Sequence, residues 1–539
     1  METASTPSSN PSIEAVPLET KPREKHSSTS RQIRGSSLML VGRALSMAVT
    51  FGIQVLIVHH LTKANYGAFA YALSFVTLGQ TLATFGLDRA ITRFVPIYHE
   101  RKDYDRMFGT MLMVLGTVIS LGLCVVLLAY IFQGLISQSL LGNQETNKQL
   151  VLSLLLILIG MAPMEALDDL IEGLTAIFAS PRSIFFRKYI LAPGLKLSVV
   201  LVLIGSGSDV FFLAGGYLFA SALGVTVYIT VLVRVLRKQK FFNHFRLSSL
   251  VFPVREVFAF TIPLLTSDLV FVLMSSSDAV LLEHFRNTTE VAAFRVVQPA
   301  AVLNQFVLQS FTLLFTPIAS RLFARNDREG INSLYWQTAI WVSMFSFPIF
   351  AMTFSLAHPL TVLLYGQRYE ESAIILSLLS FGYYFNAALG FNGLTLKVYG
   401  KLKYIVAINI FAAVINVVIN LLLIPRFGAL GAACGTCGTM ILHNILKQTG
   451  LRFGTGISLF EKRYLKVYIS IAVGAAGLLL LQTVLPANYS PKQPYIYISF
   501  AIAAAVAAVV VGINRKSLNI GQTFPELLKI PLVRRVFGE

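Results

Sequence analysis

Charge is what this sequence has least of. Only 13% of its 539 residues are Asp, Glu, Lys or Arg, while 55% are hydrophobic. A water-soluble chain of this length needs a far larger charged surface, so soluble enzymes and soluble binding domains are excluded. Apolar runs at regular intervals mark an integral membrane protein instead. Cysteine is scarce too: Cys124, Cys434 and Cys437 each lie inside an apolar segment, which excludes a disulfide framework. Cys434-Gly-Thr-Cys437 has redox-pair spacing, but its Gly/Ala-rich setting fits close helix packing. There is no GxxxxGK[ST] loop, metal-ligand cluster or catalytic-triad spacing, so no catalytic residue, bound metal or cofactor is expected. The N-terminal stretch is polar and Ser/Thr-rich and lacks the apolar core of a cleavable signal.

What is present is a series of stretches of about 20 apolar residues, the length that crosses a bilayer. Fourteen are read, at 37–60, 67–87, 108–133, 149–172, 183–205, 209–235, 256–282, 290–318, 334–357, 371–396, 402–424, 428–447, 463–486 and 493–514. The expected fold class is an all-α integral membrane protein with 14 transmembrane helices. Basic residues outnumber acidic ones, 44 to 26. With the N-terminus inside, 35 of those 44 fall on inner segments or close to the inner ends of spans and 6 on outer loops, while Arg43, Lys196 and Arg295 lie deeper within spans. The basic excess therefore belongs to cytoplasmic loops, not to a nucleic-acid interface, and both termini are expected in the cytoplasm.

The turn after span 1, LTKANYGAFAYALSFV, is echoed after span 7 by FRNTTEVAAFRVVQPAAV. A repeat separated by six spans is parallel and predicts two six-helix lobes related by an axis along the membrane normal. The expected divisions are a disordered cytoplasmic tail at 1–36, an N-lobe at 37–236, a cytoplasmic linker at 237–255 and a C-lobe at 256–450. Two further spans occupy 451–514, and a cytoplasmic tail follows at 515–539.

One stretch resembles a known family closely. VYGKLKYIVAINIFAAVINVVINLLLIPRFGALGAACGT, residues 398–436, is similar to the multidrug/oligosaccharidyl-lipid/polysaccharide flippase superfamily, particularly its polysaccharide-transporter, O-antigen flippase-like branch. LTKANYGAFA at 61–70, FGLDRAITRFVP at 85–96, DAVLLEHF at 278–285 and YGQRYEES at 365–372 support the match. The resemblance implies a central cavity between two lobes, in a bacterial inner (plasma) membrane. It implies a lipid-linked oligosaccharide as substrate, membrane lipids around it, and polysaccharide polymerase or glycosyltransferase partners. The alternative within the superfamily is a cation-coupled multidrug exporter. An enzyme is not expected.

Polar residues inside spans supply the candidate site. Span 8 carries Arg295, Gln298, Gln305 and Gln309 at helical spacing, and span 2 carries Thr77, Thr81, Thr84 and Asp88. Such stripes avoid lipid, so Arg295, Gln298, Gln305, Gln309, Thr81 and Thr84 are candidate head-group contacts. Arg43 in span 1 joins them, because a guanidinium there suits an anionic pyrophosphate better than a cationic drug. Ionisable residues in spans are also coupling candidates, for H+ or Na+: Asp268, which has no evident local partner, Asp278 and Glu165. Residues equidistant from a hairpin turn share a depth. That arithmetic pairs Asp278 with Arg295, Glu165 with Lys196 and Glu172 with Lys188. In MEALDDLIEGL, residues 164–174, four carboxylates at i, i+3, i+4 and i+7 share one helix face. They are expected to meet the basic residues of span 5 rather than to form a catalytic cluster.

Overall fold

The computed structural model describes residues 22–139, 145–179, 181–484 and 494–518. All regular secondary structure in these segments is helical. The first half comprises α1 (Pro22–His60), α2 (Lys63–Thr84), α3 (Leu87–Glu100), α4 (Tyr104–Ile131), α5 (Gln133–Ser139), α6 (Glu145–Leu158) and α7 (Met161–Phe178). It continues through α8 (Pro181–Phe185), a π-helical segment (Phe186–Leu191), α9 (Ala192–Ser206) and α10 (Val210–Lys238). The second half comprises α11 (Val254–Phe285), α12 (Thr288–Val302), α13 (Phe306–Ala324), α14 (Arg328–Phe350), α15 (Ala357–Tyr365), α16 (Ser372–Ala388), α17 (Asn392–Val398) and α18 (Leu402–Thr455). Helices α19 (Leu465–Val484), α20 (Pro494–Ile513) and α21 (Arg515–Leu518) follow.

Thirteen helical segments among the described residues are long and apolar enough to cross a membrane. One of them, α18, has 54 residues and is kinked at Gly428, whose φ of 56° and ψ of −133° are non-helical. The expected fourteen crossings rest on reading its two arms separately. Only glycine takes that conformation readily, and the Pro425 ring just before it interrupts the hydrogen-bond ladder. Past the kink, a Cβ at Gly431 would sit 2.5 Å from the Leu423 carbonyl oxygen, and one at Gly435 would collide with the Asn420 amide. The small residues thus let the two arms pack against each other.

Helix starts follow short polar side chains that accept from free N–H groups of the first turn. Thr62 caps α2 at 3.2 Å, Asp103 caps α4 at 3.1 Å and Asp209 caps α10 through two N–H groups at 3.1 Å. Asn287 caps α12 at 3.0 Å, in the place that Thr62 holds in the first half. The two hairpins that look alike in sequence meet in space, for α2 packs against both α11 and α12. At Gly67 the approach is so close that a Cβ would overlap the Thr288 carbonyl. This seam between halves is one continuous apolar core, including Phe69, Tyr71, Ala292 and Phe294.

Two expectations change, and one boundary is refined. Residues 22–36, read as disordered tail, belong to α1, while 1–21 lie outside the described residues. Span 2, read as ending at 87, ends as α2 at Thr84. Phe85 (φ 52°) and Gly86 (φ 68°) stop α2 with two left-handed residues and redirect the chain into the amphipathic α3. Span 8 is not one straight helix. Pro299 lies just before a 3-10 turn at Leu303–Gln305, which separates α12 from α13. The spacing that put Arg295 and Gln309 on one stripe assumed an unbroken helix.

Candidate functional site: a cavity on the lobe seam

A cavity of about 600 Å³ lies between the halves, walled by α1, α2, α9, α10, α11 and α12. Most of its wall is apolar, with Phe51, Ile53, Ile57, Phe69 and Val302 among the lining residues. The cations facing it are Arg295 and Lys196, and no Asp or Glu is among its described lining residues.

Arg295 is the anchor. Its Nη1 donates to Gln298 Oε1 at 2.7 Å, and its Nη2 donates to Ser74 Oγ at 2.8 Å and the Ser275 carbonyl at 3.1 Å. Three elements, α12, α2 and α11, therefore fix one guanidinium. Its Nε, also buried, has no partner. A buried guanidinium with a donor to spare is poised to accept an oxyanion. Gln54 ties α1 into the same network, donating to Tyr66 Oη at 2.9 Å and to the Val296 carbonyl at 3.0 Å.

Contacts between the halves flank the cavity at both ends. At the end bearing the α1–α2 and α11–α12 turns, Lys63 pairs with Glu371 and Arg368 donates to the Val58 carbonyl. At the opposite end, Arg89 on α3 pairs with Asp268 on α11 at 2.8 Å. Tyr98 there donates to Glu256 at 3.0 Å, and Phe94 meets Phe260 edge-on at 5.7 Å.

The expected site residues fall into several groups. Arg295 and Gln298 line the cavity. Arg43 and Gln309 hydrogen-bond each other, joining α1 to α13 away from that lining, and Gln305 sits in the 3-10 turn. Thr81 and Thr84 return their hydroxyls to the carbonyls of Thr77 and Gln80, at 3.0 and 2.8 Å. It is Thr77, one turn before Thr81, that faces the cavity. Asp268 is not unpartnered: Arg89, in a different lobe, was invisible to a search along one hairpin.

Asp278 and Arg295 form no direct ion pair, although the guanidinium is near enough to act on the carboxylate electrostatically. Asp278, 1% exposed, accepts from Asn420 Nδ2 at 2.5 Å and Thr436 Oγ1 at 3.0 Å, both on α18. Equal depth fixes height along the membrane normal but not the direction around a helix. Asn416 Oδ1 lies beside Asn420 Nδ2 at 3.3 Å, and the buried Asn420 Oδ1 has no partner. Beside the Asn420 and Thr436 donors, the cluster offers carboxylate and amide oxygens as acceptors and carries a single negative charge. One monovalent cation, or one proton, would balance it.

The acids of MEALDDLIEGL each have a partner. Lys196 Nζ is 3.2 Å from Glu165, and Lys188 pairs with Glu172. Asp169 accepts from Gln80 at 2.8 Å. Asp168 meets Arg187 at 2.5 Å. Arg187 also donates to the Asp168 carbonyl at 2.9 Å and Thr175 Oγ1 at 2.8 Å, and lies 3.9 Å over the Tyr228 ring. Depth arithmetic missed Arg187 because it sits in the π-helical segment, where an extra residue per turn shifts the helix face. Ser74, Gln54, Tyr66 and Ser275 were also missed. Single polar residues in apolar spans were the available signal.

A two-lobed bundle of helices long and apolar enough to cross a membrane, with a cationic cavity on its seam, has the architecture of a membrane transporter. The sequence pattern of the polysaccharide biosynthesis protein family matches residues 33–323, and that of the MatE family matches 263–422. The chain belongs to the polysaccharide biosynthesis protein family, in the polysaccharide-transporter branch of the multidrug/oligosaccharidyl-lipid/polysaccharide superfamily. It is similar to an uncharacterized membrane protein of Methanocaldococcus jannaschii, 21% identical over 418 residues that cover 75% of this chain and 81% of that protein. It is 27% identical over 182 residues to the capsular polysaccharide biosynthesis protein CapF of Staphylococcus aureus, covering 33% of this chain and 45% of CapF. Its fold resembles that of the lipid II flippase MurJ in an inward closed conformation, with a TM-score of 0.69 at 15% identity over 89% of this chain and 98% of that one. An inward-facing multidrug resistance MATE transporter gives 0.64 at 14% identity, covering 76% of this chain and 94% of that one.

Proposed function

We propose that the protein moves polyprenyl-pyrophosphate-linked oligosaccharide units from the cytoplasmic to the outer leaflet for cell-surface polysaccharide synthesis. The observation that carries this reading is the charge of the cavity: two cations and no carboxylate among its described lining residues. That favours an anionic cargo over a cationic drug. A pyrophosphate and its sugars lose their hydration in hydrocarbon and cannot cross unaided. Arg295 and its polar neighbours replace part of that hydration, while the polyprenyl chain stays in lipid. CapF, the relative from capsular polysaccharide synthesis, fits such a cargo. Nothing covalent happens in the cycle; glycan-building enzymes supply the head group before transport and consume it afterwards.

Positive-inside orientation places the α3–α11 contacts, including Arg89–Asp268, on the cytoplasmic side and the Gly67–Thr288 contact outside. Opening one set while the other holds gives alternating access by rocking of the lobes. The Asp278 cluster is the coupling site of this scheme: Asp278, Asn416, Asn420 and Thr436 would hold a monovalent cation or proton. Its charge would bias the packing of α11 against α18. The cation-coupled multidrug exporter remains the second reading, favoured by the MATE fold similarity.

Deletion in the native host separates the two. Build-up of lipid-linked repeat units on the inner leaflet supports the flippase, whereas unchanged surface glycan with raised drug sensitivity supports the exporter.

A further inference from the structure

Lys196 lines two spaces at once. It faces the 600 Å³ cavity, and it faces a chamber of about 50 Å³ inside the first lobe between α7, α9 and α10. In that chamber its ammonium lies 3.2 Å from Glu165 Oε1, which also accepts from Ser221 Oγ at 3.2 Å. On the cavity side the ammonium is 5.7 Å from the ring centroid of Tyr217, another lining residue. The pair is only partly covered, with side-chain exposures of 35% for Lys196 and 27% for Glu165.

The neighbouring Arg187–Asp168 pair shows what a fixed pair looks like here. Arg187 is 8% exposed and held through both terminal nitrogens by a carboxylate, a carbonyl and a hydroxyl. Lys196 has one carboxylate contact on a flexible four-carbon stem, and a rotation of that stem carries its charge from the chamber to the cavity. Asp168, the other acid of the chamber, is already occupied by Arg187, so Glu165 is the anion that competes for Lys196.

We propose that Lys196 is a switching cation: it rests on Glu165 when the cavity is empty and turns onto the phosphate of the cargo when it is loaded. This rests on the anionic-cargo reading above and adds a selectivity rule to it. A head group must outcompete one carboxylate to recruit Lys196. A pyrophosphate does so and a single phosphate does so poorly. Glu165 thereby sets selectivity by charge without touching the cargo.

The test is equilibrium binding of polyprenyl pyrophosphate, polyprenyl monophosphate and polyprenol to the purified full-length protein in detergent, with thermal stability followed in parallel. The wild type is expected to prefer pyrophosphate over monophosphate by about tenfold. Lys196→Gln should weaken pyrophosphate binding about tenfold and remove most of that preference. Glu165→Gln should tighten monophosphate binding several-fold and narrow the preference, and it should change nothing when combined with Lys196→Gln. A purely structural pair would give lower stability in both single variants with the preference intact, and that result overturns the switch. If Lys196→Gln does not fold, Glu165→Gln decides alone, and unchanged monophosphate binding overturns the proposal. A wild type that binds polyprenol as well as the pyrophosphate instead overturns the anionic-cargo reading itself.

Discussion

Two acidic sites, one in each lobe, are stabilised in different ways. The α7 face presents four carboxylates, of which three are met by Arg187, Lys188 and Lys196 and the fourth by the Gln80 amide. Asp278 in α11, 1% exposed, makes no direct ion pair: an amide and a hydroxyl hydrogen-bond it, and the Arg295 guanidinium acts on it from beyond contact distance. What separates them is counter-charge. A carboxylate locked to its own cation, as Asp168 is to Arg187, is settled, and breaking the pair is the costly event. One held by neutral groups keeps room for an ion, and removing its charge relieves a burden on the fold. The first arrangement anchors a helix hairpin, while the second suits a site whose charge changes during transport.

That contrast fails or holds on variant behaviour. The largest expected effect is at Arg187→Leu, which leaves Asp168 facing an apolar side chain. A loss of about 3–5 kcal/mol is expected for breaking a buried pair, read as a large drop in the thermal unfolding midpoint in detergent. Next is Arg295→Gln, expected to weaken pyrophosphate-lipid binding by at least about thirtyfold, since truncating a buried charged contact costs about 2 kcal/mol or more. Stability should change less than in the Arg187 variant, because Gln still reaches polar neighbours.

Asp278→Asn should reverse the sign seen at α7, with stability equal to or above wild type and any dependence of transport on Na+ or pH abolished. A variant that both unfolds and retains ion dependence would dissolve the distinction between the lobes. The smallest effect is at Lys188→Gln. Its pair with Glu172 is among the more exposed, with side-chain exposures of 44% and 36%, and such pairs contribute under about 1 kcal/mol.

Much of this architecture was legible in the sequence because bilayer thickness sets helix length and loop charge sets sidedness. Helix capping by Thr62 and Asn287 and the kink at Gly428 also follow from local chemistry. The candidate site was less legible, for three physical reasons. Periodicity assumes an unbroken helix, and the 3-10 turn at Leu303–Gln305 turned Gln309 toward Arg43 instead of the cavity. Hairpin depth gives height but not azimuth, so Asp278 was matched to Arg295 when its hydrogen bonds run to α18. Contacts between lobes, such as Arg89 with Asp268, leave no trace in the spacing of either segment. Arg295 was the exception. A lone arginine in an apolar span had few places to go, and the lobe seam holds it with one buried donor to spare.

The central claim is that a cationic cavity on the seam carries a pyrophosphate-linked glycan across the bilayer. Its most direct test is reconstitution of the purified protein in liposomes containing a fluorescent polyprenyl-pyrophosphate oligosaccharide, with transfer between leaflets followed by a membrane-impermeant quencher. Protein-dependent transfer is expected, and Arg295→Gln should reduce it at least about thirtyfold at subsaturating lipid, by the same contact energy. Equal transfer by wild type, Arg295→Gln and protein-free liposomes would contradict it.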